Sequence, residues 1–191
     1  MHNGNLRRMT RRIEHHSMSR WPAARIHAAL IDADCLRERL GAAGDGIAEL
    51  VSRTVTEHEA RFQLRQRLPE GELPTVIRGV LGGDPLLERS ESWRVREDGH
   101  FVGEVAATLR RVPSTITGSL WLRDLTPAEH STPEGASGGE RALISEFALR
   151  GEVAVHLPFL AERAEELLAG QLDLMIERER GIIADWLRRR G

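Results

Sequence analysis

Lysine and tyrosine are absent from this 191-residue chain, and cysteine occurs once, at Cys35. Without lysine all 27 basic side chains are arginines, so Schiff-base and lysine-nucleophile chemistry is excluded. Without tyrosine there is no phenolic acid or base. The accompanying wealth of Arg, Ala and Gly is what a GC-rich coding sequence produces. A single cysteine rules out an intrachain disulfide and a thiolate zinc cluster, and it fits a reducing cytoplasm. Dominance of one charge sign is also missing: 27 basic against 29 acidic residues leave a net charge of -2, which does not favour nucleic acid as a partner. No apolar run approaches the roughly 18 residues that signal a spanning helix, and MHNGNLRRMTRRIEHH has arginines with no apolar segment behind them. The expectation is therefore a soluble, cytoplasmic protein with no integral membrane segment.

A chain of this length buries roughly two-thirds of its surface around one core. We expect one domain over residues 9–191, a loose tail over 1–8, and Met9 as an alternative start. MTRRIEHHSMS reads as a first strand with Ile13 and His15 on one face and Glu14 and His16 on the other. WPAARIHAALID reads as a helix opened by Pro22, with Ala23, Ile26, Ala29 and Leu30 as its apolar stripe. A second helix follows in DADCLRERLGAAGDG, capped by Asp32 or Asp34, with Cys35 as a small buried hydrophobe and Gly41 with Gly44 as its stop.

From Ile47 to His156 short runs of period two alternate with Gly, Pro and acidic turns, giving about six strands. They are IAELVSRTV, ARFQLRQRL, LLERSESWRV, HFVGEVAATL, STITGSLWLRDL and RALISEFALRGEVAVH. The alternation is sharpest where Phe62, Leu64, Gln66 and Leu68 oppose Arg61, Gln63, Arg65 and Arg67, the pattern of an antiparallel sheet with one wet side. PEGELPTVIRGVLGGDP reads as a short helical turn acting as a flap, and residues 126–140, TPAEHSTPEGASGGE, as a mobile hairpin loop.

From Pro158 to Arg189 the chain reads as one helix of about thirty residues, a rod of roughly 45 Å. Its stripe is expected at Leu160, Ala164, Leu167, Leu168, Gln171, Met175, Ile182 and Trp186, with close packing or a bend at Gly170 and Gly181.

The order strand, two helices, six strands, long helix is that of the helix-grip fold, an α+β class in which a curved antiparallel sheet of about seven strands wraps a C-terminal helix. RRIEHHS, WPAARIHAALID, LPTVIRGVLGGD, LLERSESW, TGSLWLRDL, LRGEVAVHLPFL and the closing DWLRR resemble an actinobacterial domain-of-unknown-function family, number 2505, of the SRPBCC superfamily. That superfamily also holds START lipid-transfer domains, polyketide cyclases and the birch-pollen-allergen group. The resemblance runs from about Arg11 to Arg189 and implies a deep cavity between sheet and C-terminal helix. It does not transfer a reaction. The chain departs from the family pattern in the insertion Thr126 to Glu140 and in HLPFLAERAEEL.

Neighbouring strand residues point to opposite faces, so His15 and His16 cannot ligate one ion, and no metal is expected. GAAGDG follows a helix rather than a strand and is no phosphate loop; no cofactor is expected. Arg89, Glu91 and Trp93 share a face, and Leu87 and Val95 at its ends point to it being the inner one. A charged pair there must find each other or a polar ligand head.

The leading expectation is a binding module for a hydrophobic or lipid-like small molecule. Its apolar lining is expected from Phe62, Leu64, Trp93, Phe101, Val105, Leu120, Leu122, Phe147, Leu149, Leu167 and Met175. His15, Gln66, Arg89 and Glu91 are its polar candidates. One alternative is a cyclase, dehydratase or hydrolase using the same cavity. Another is a protein-interaction domain working through Arg61, Arg65 and Arg67. No residue is singled out as catalytic.

Overall fold

A computed structural model describes residues 10–41, 48–67, 86–130, 143–157 and 159–190. The expected tail at 1–8, the flap at 69–85, most of the loop at 131–140, Leu68, Gly44 and Pro158 lie outside them.

Seven strands form one antiparallel sheet: β1 (Arg11–Ser19), β2 (Ala48–Val55), β3 (Glu59–Arg67), β4 (Leu86–Val95), β5 (Phe101–Leu109), β6 (Ser114–Asp124) and β7 (Ser145–Val155). Their order across the sheet is β1-β7-β6-β5-β4-β3-β2, so β1 and β2 are its edges. The period-two reading of β3 matches the packing: Ala60, Phe62, Leu64 and Gln66 are buried, while Arg61 and Gln63 are exposed. On β4 the buried residues are Leu86, Leu87, Arg89, Glu91 and Trp93; Val95 instead is 49% exposed, because the inner face ends before it.

Three glycines, Gly103, Gly118 and Gly151, stand where neighbouring groups of the sheet approach closely. Gly118 and Gly151 face each other across β6 and β7, and a Cβ at Gly151 would lie 2.5 Å from the Thr117 carbonyl oxygen. At Gly103 a Cβ would meet the Ser92 carbonyl at 2.5 Å and the Trp93 ring at 3.0 Å, so only glycine leaves room for that indole.

Between β1 and β2 run α1 (Ala23–Ile31) and α2 (Ala33–Gly41). Pro22 precedes α1, whose Ala23 amide donates to Asp124 Oδ1 at the end of β6 (2.6 Å). The four stripe residues expected on α1 are all buried. For α2 the cap is Asp32 rather than Asp34: its Oδ1 accepts from the amides of Asp34 (2.9 Å) and Cys35 (3.0 Å). Cys35 is fully buried, and burial pushes its thiol up to about 11, which makes it unreactive.

The C-terminal helix α3 (Ala161–Arg189) has 29 residues. It packs on β1 and β7 and on α1 and α2. Its buried stripe is Ala164, Glu165, Leu168, Ala169, Leu172, Glu179, Ile183, Trp186 and Leu187. This corrects the expected stripe by about one position: Leu167, Gln171, Met175 and Ile182 lie on its flank, half-buried, and two carboxylates enter it. The expectation of close packing at Gly170 and Gly181 is also corrected, since a Cβ at either would meet nothing within 4 Å. Glu165 is accounted for by the Val155 amide, which donates to its Oε1 (2.8 Å).

The opening of the stretch expected to be mobile, residues 126–130, is tied down. Thr126 and Glu129 form a capping box around a single turn, Pro127–Glu129, and Arg123 grips Glu129 and Glu146 together. These contacts hold the Glu129 carboxyl down at about 2, the bond from Arg123 first and those from Thr126 next.

No helix among the described residues is long and apolar enough to cross a membrane.

Candidate functional site

Two hydrophobic clusters fill the space between sheet and helix. One is wholly aliphatic and joins Ile13, Leu87, Leu109, Ile116 and Val153 to Leu168 and Leu172 in the first half of α3. The other is rich in aromatics and joins α1, α2, Phe62, Trp93, Phe101 and Leu122 to Ile183, Trp186 and Leu187 in the second half. An internal cavity of about 280 Å³ opens beside the second cluster. Its apolar wall comes from Ile26 and Leu30 of α1, Trp93, Val105, Leu120, Phe147 and Leu149 of the sheet, and Ile176, Ile183 and Leu187 of α3. Its rim runs from Ser17 to Trp21 and includes Arg180 and Ala184; Arg20 is the exposed member, which places the opening at the end of β1. A larger hollow of about 880 Å³ crosses the outer face of the sheet past Arg61, Gln63, Ser90, Ser92, Glu104 and Arg150. That hollow is polar and more open to solvent, so the smaller, mostly apolar cavity is the candidate site.

Four ionised side chains meet at the cavity wall. Glu179 accepts from Arg39 Nη2 (2.6 Å) and from Arg89 Nη2 (2.9 Å). Glu91 Oε2 lies 3.6 Å from Arg39 Nη2 and 3.9 Å from Arg89 Nε, while its Oε1 accepts from the Trp93 indole N–H (2.7 Å). All four side chains are at most 11% exposed. Two positive and two negative charges give a neutral quartet, the condition under which buried ions persist. Burial alone would raise the Glu179 carboxyl, but Arg39 and Arg89 outweigh it and hold it at about 2. Burial likewise works to lower Arg39, and the charges of Glu179 and Glu91 overcome it and raise it. The Nε atoms of Arg39 and Arg89 are buried without a hydrogen-bond partner among the described residues.

The structure brings seven of the sequence-derived candidates to the cavity wall: Arg89, Glu91, Trp93, Val105, Leu120, Phe147 and Leu149. Phe62, Leu64 and Leu122 sit in the sealed aromatic cluster instead. Phe101 stacks on His27 with ring centroids 4.2 Å apart. Gln66 donates to Met175 Sδ (2.8 Å), and Leu167 flanks the aliphatic cluster; none of the three reaches the cavity. His15 lies under the rim, its Nε2 3.5 Å from both Arg180 Nη1 and Glu177 Oε1, with its pKa lowered by burial and then by Arg180.

Sequence reasoning missed Arg39, Glu179 and the Ser17–Trp21 rim. Two signals were available. Glu179 falls at helical spacing between Leu172, Ile176 and Ile183, and Arg39 lies three residues after Leu36 and four after Cys35. His27 was also missed; burial lowers its pKa to about 4. Among the described residues no group of three or more His, Cys, Asp or Glu side chains is placed to hold a metal ion.

A family model described as "Protein of unknown function (DUF2505)" matches residues 14–187. The uncharacterized protein Rv0481c of Mycobacterium tuberculosis H37Rv is 23% identical over 167 residues, covering 85% of this chain and 88% of that protein. The same identity and coverage hold for the uncharacterized protein Mb0491c of Mycobacterium bovis. Among solved structures, the Zhui aromatase/cyclase from Streptomyces sp. R1128 superposes with a TM-score of 0.56 at 12% identity, covering 95% of this chain and 96% of that one. TTHA0849 of Thermus thermophilus gives 0.57 at 13% identity, with 95% and 99% coverage. Norcoclaurine synthase from Thalictrum flavum, solved with dopamine and hydroxybenzaldehyde, gives 0.50 at 14% identity, with 97% and 94% coverage. At such identities the likeness establishes the fold, the helix grip, and leaves the activity to the site itself.

Proposed function

The chain belongs to the DUF2505 family, and from that premise and the geometry of its interior we propose that it is a binding module for an apolar small molecule. The molecule occupies the cavity between the sheet and the second half of α3. The observation that carries this reading is a partly enclosed volume of about 280 Å³ with an apolar wall and one compact polar group, the Arg39–Arg89–Glu91–Glu179 quartet. Small-molecule sites have this composition: apolar lining for affinity and a few fixed polar atoms for orientation. Arg39 and Arg89 hold the Glu179 carboxyl down at about 2, so in this site it serves as a fixed anion rather than as a general acid or base. The protein acts in the cytoplasm, where Cys35 remains a free thiol, and the cargo rather than nucleic acid is its partner.

Two measurements test this. Native mass spectrometry of freshly purified protein is expected to show a retained small-molecule mass. Titration with the neutral fluorophore N-phenyl-1-naphthylamine is expected to saturate, and Leu120→Trp, which fills the cavity, is expected to abolish uptake while leaving the circular-dichroism spectrum intact. Absence of probe uptake by the wild-type chain overturns the reading.

A further inference from the structure

The wall of the cavity is not electrically neutral. Its charged residues are Arg20, Arg39, Arg89 and Arg180 against Glu91 and Glu179, four positive charges to two negative. The quartet accounts for two of each sign and cancels within itself. The excess positive charge therefore belongs to the mouth, to Arg20 just after β1 and Arg180 on α3.

Both guanidinium groups have donors to spare where a ligand can reach them. Arg20 is exposed and has no ion-pair or hydrogen-bond partner among the described residues. Arg180 uses Nη1 alone, which meets Glu177 Oε1 (3.1 Å) and Oε2 (3.0 Å) and stands 3.5 Å from His15 Nε2. Its Nε and Nη2 are unbonded among the described residues, yet, unlike the Nε atoms of Arg39 and Arg89, they are not cut off from solvent. Glu177 is 58% exposed, so its pair with Arg180 is a weak surface pair that leaves the guanidinium able to share a second anion. Counted with Glu177, the wall keeps one positive charge in excess. The quartet does not attract a charged head, since its charges cancel and its unpartnered Nε donors are sealed. A basic mouth over an apolar chamber instead fits a molecule with an apolar body and one negative charge at its outer end.

We infer that the cargo is an amphipathic carboxylate, its hydrocarbon body along Val105, Leu120, Phe147 and Ile183 and its carboxylate held at the mouth by Arg20 and Arg180. A guanidinium grips a carboxylate through two parallel N–H donors, and Nε and Nη2 of Arg180 are such a pair. This rests on the binding reading above and adds to it a head group and an orientation, with the hydrocarbon end innermost.

The test is displacement of N-phenyl-1-naphthylamine from the full chain at neutral pH and low salt by octanoate, octylammonium and 1-octanol, alike in body and different in the charge of the head. Octanoate is expected to displace the probe at a concentration about fivefold lower than octylammonium, the scale of two part-exposed ion pairs. In 1 M NaCl, where the screening length falls to about 3 Å, that gap is expected to close. It is also expected to close in Arg20→Gln/Arg180→Gln, with the potency of octanol, which reports the body alone, unchanged. Equal or greater potency of octylammonium overturns the carboxylate assignment while the probe signal keeps the binding reading intact. A gap that survives high salt or the double substitution overturns it as well, and no probe signal at all overturns both readings. If the double variant does not fold, Arg20→Gln alone, at an exposed position, is expected to narrow the gap about twofold, and no narrowing overturns the assignment.

Discussion

The two halves of α3 do different work. Its first half presents Ala164, Leu168, Ala169 and Leu172 to an aliphatic stack from β1, β4, β5, β6 and β7. Its second half presents Glu179, Ile183, Trp186 and Leu187 to aromatic rings, two arginines and an internal cavity. Branched aliphatic side chains interdigitate to crystalline density, so the first half closes on the sheet. Rigid rings and ion pairs tile less freely, because the quartet must keep its bond lengths and Trp93 must keep its bond to Glu91. The volume left over collects beside them. The aliphatic cluster belongs to one end of the helix and the cavity to the other.

The largest effect is expected from Glu179→Ala, which leaves Arg39 and Arg89 buried without their shared partner. A loss of about 3–5 kcal/mol in urea denaturation is expected, together with loss of probe uptake. Leu168→Ala attacks the opposite half: about 3 kcal/mol is expected from the cavity it creates, with probe affinity unchanged in the folded protein. If both variants lose affinity equally, the division between the halves fails.

Acid separates the halves further. The Glu179 pKa is depressed in the fold, so the stability it contributes is complete above its ordinary value of 4.5 and is lost as pH falls through about 2. The fold also depresses His27, from 6.5 to about 4 by burial. Its neutral form is favoured in the folded protein, so stability declines as pH falls from about 6.5 to 4. Urea midpoints measured against pH are expected to fall in these two windows, and His27→Gln is expected to remove the one between about 6.5 and 4. Smaller still, Asp32→Ala removes the α2 cap beside the quartet and is expected to cost about 1 kcal/mol. Least of all, Arg65→Gln on the outer face, which gives up part-exposed ion pairs to Glu49 and Glu88, is expected to cost about 0.5 kcal/mol and to leave probe affinity alone.

The sheet was legible because period-two alternation is a local signal. β3 needs only its own residues to show which side is wet, and Arg89, Glu91 and Trp93 read as inward from β4 alone. The quartet was only half legible, since Arg39 reaches Glu179 across 140 residues and no local pattern couples them. The face of α3 was misjudged by one position because apolar pairs such as Leu167–Leu168 offer two nearly equivalent stripes, and tertiary packing chooses between them. The choice of Leu168 is what brings Glu179 inward, since eleven residues complete three turns at 3.6 per turn.

Cys35 turns this architecture into its own clock. The only sulfhydryl in the chain lies on the same short helix as Arg39, wholly covered. A thiol reagent reaches it only when α2 lifts away from the grip, so the rate of alkylation counts those excursions without any engineered label. Cargo that tightens the Arg39 side of the interior slows that count, which gives an occupancy assay that does not depend on what the cargo is.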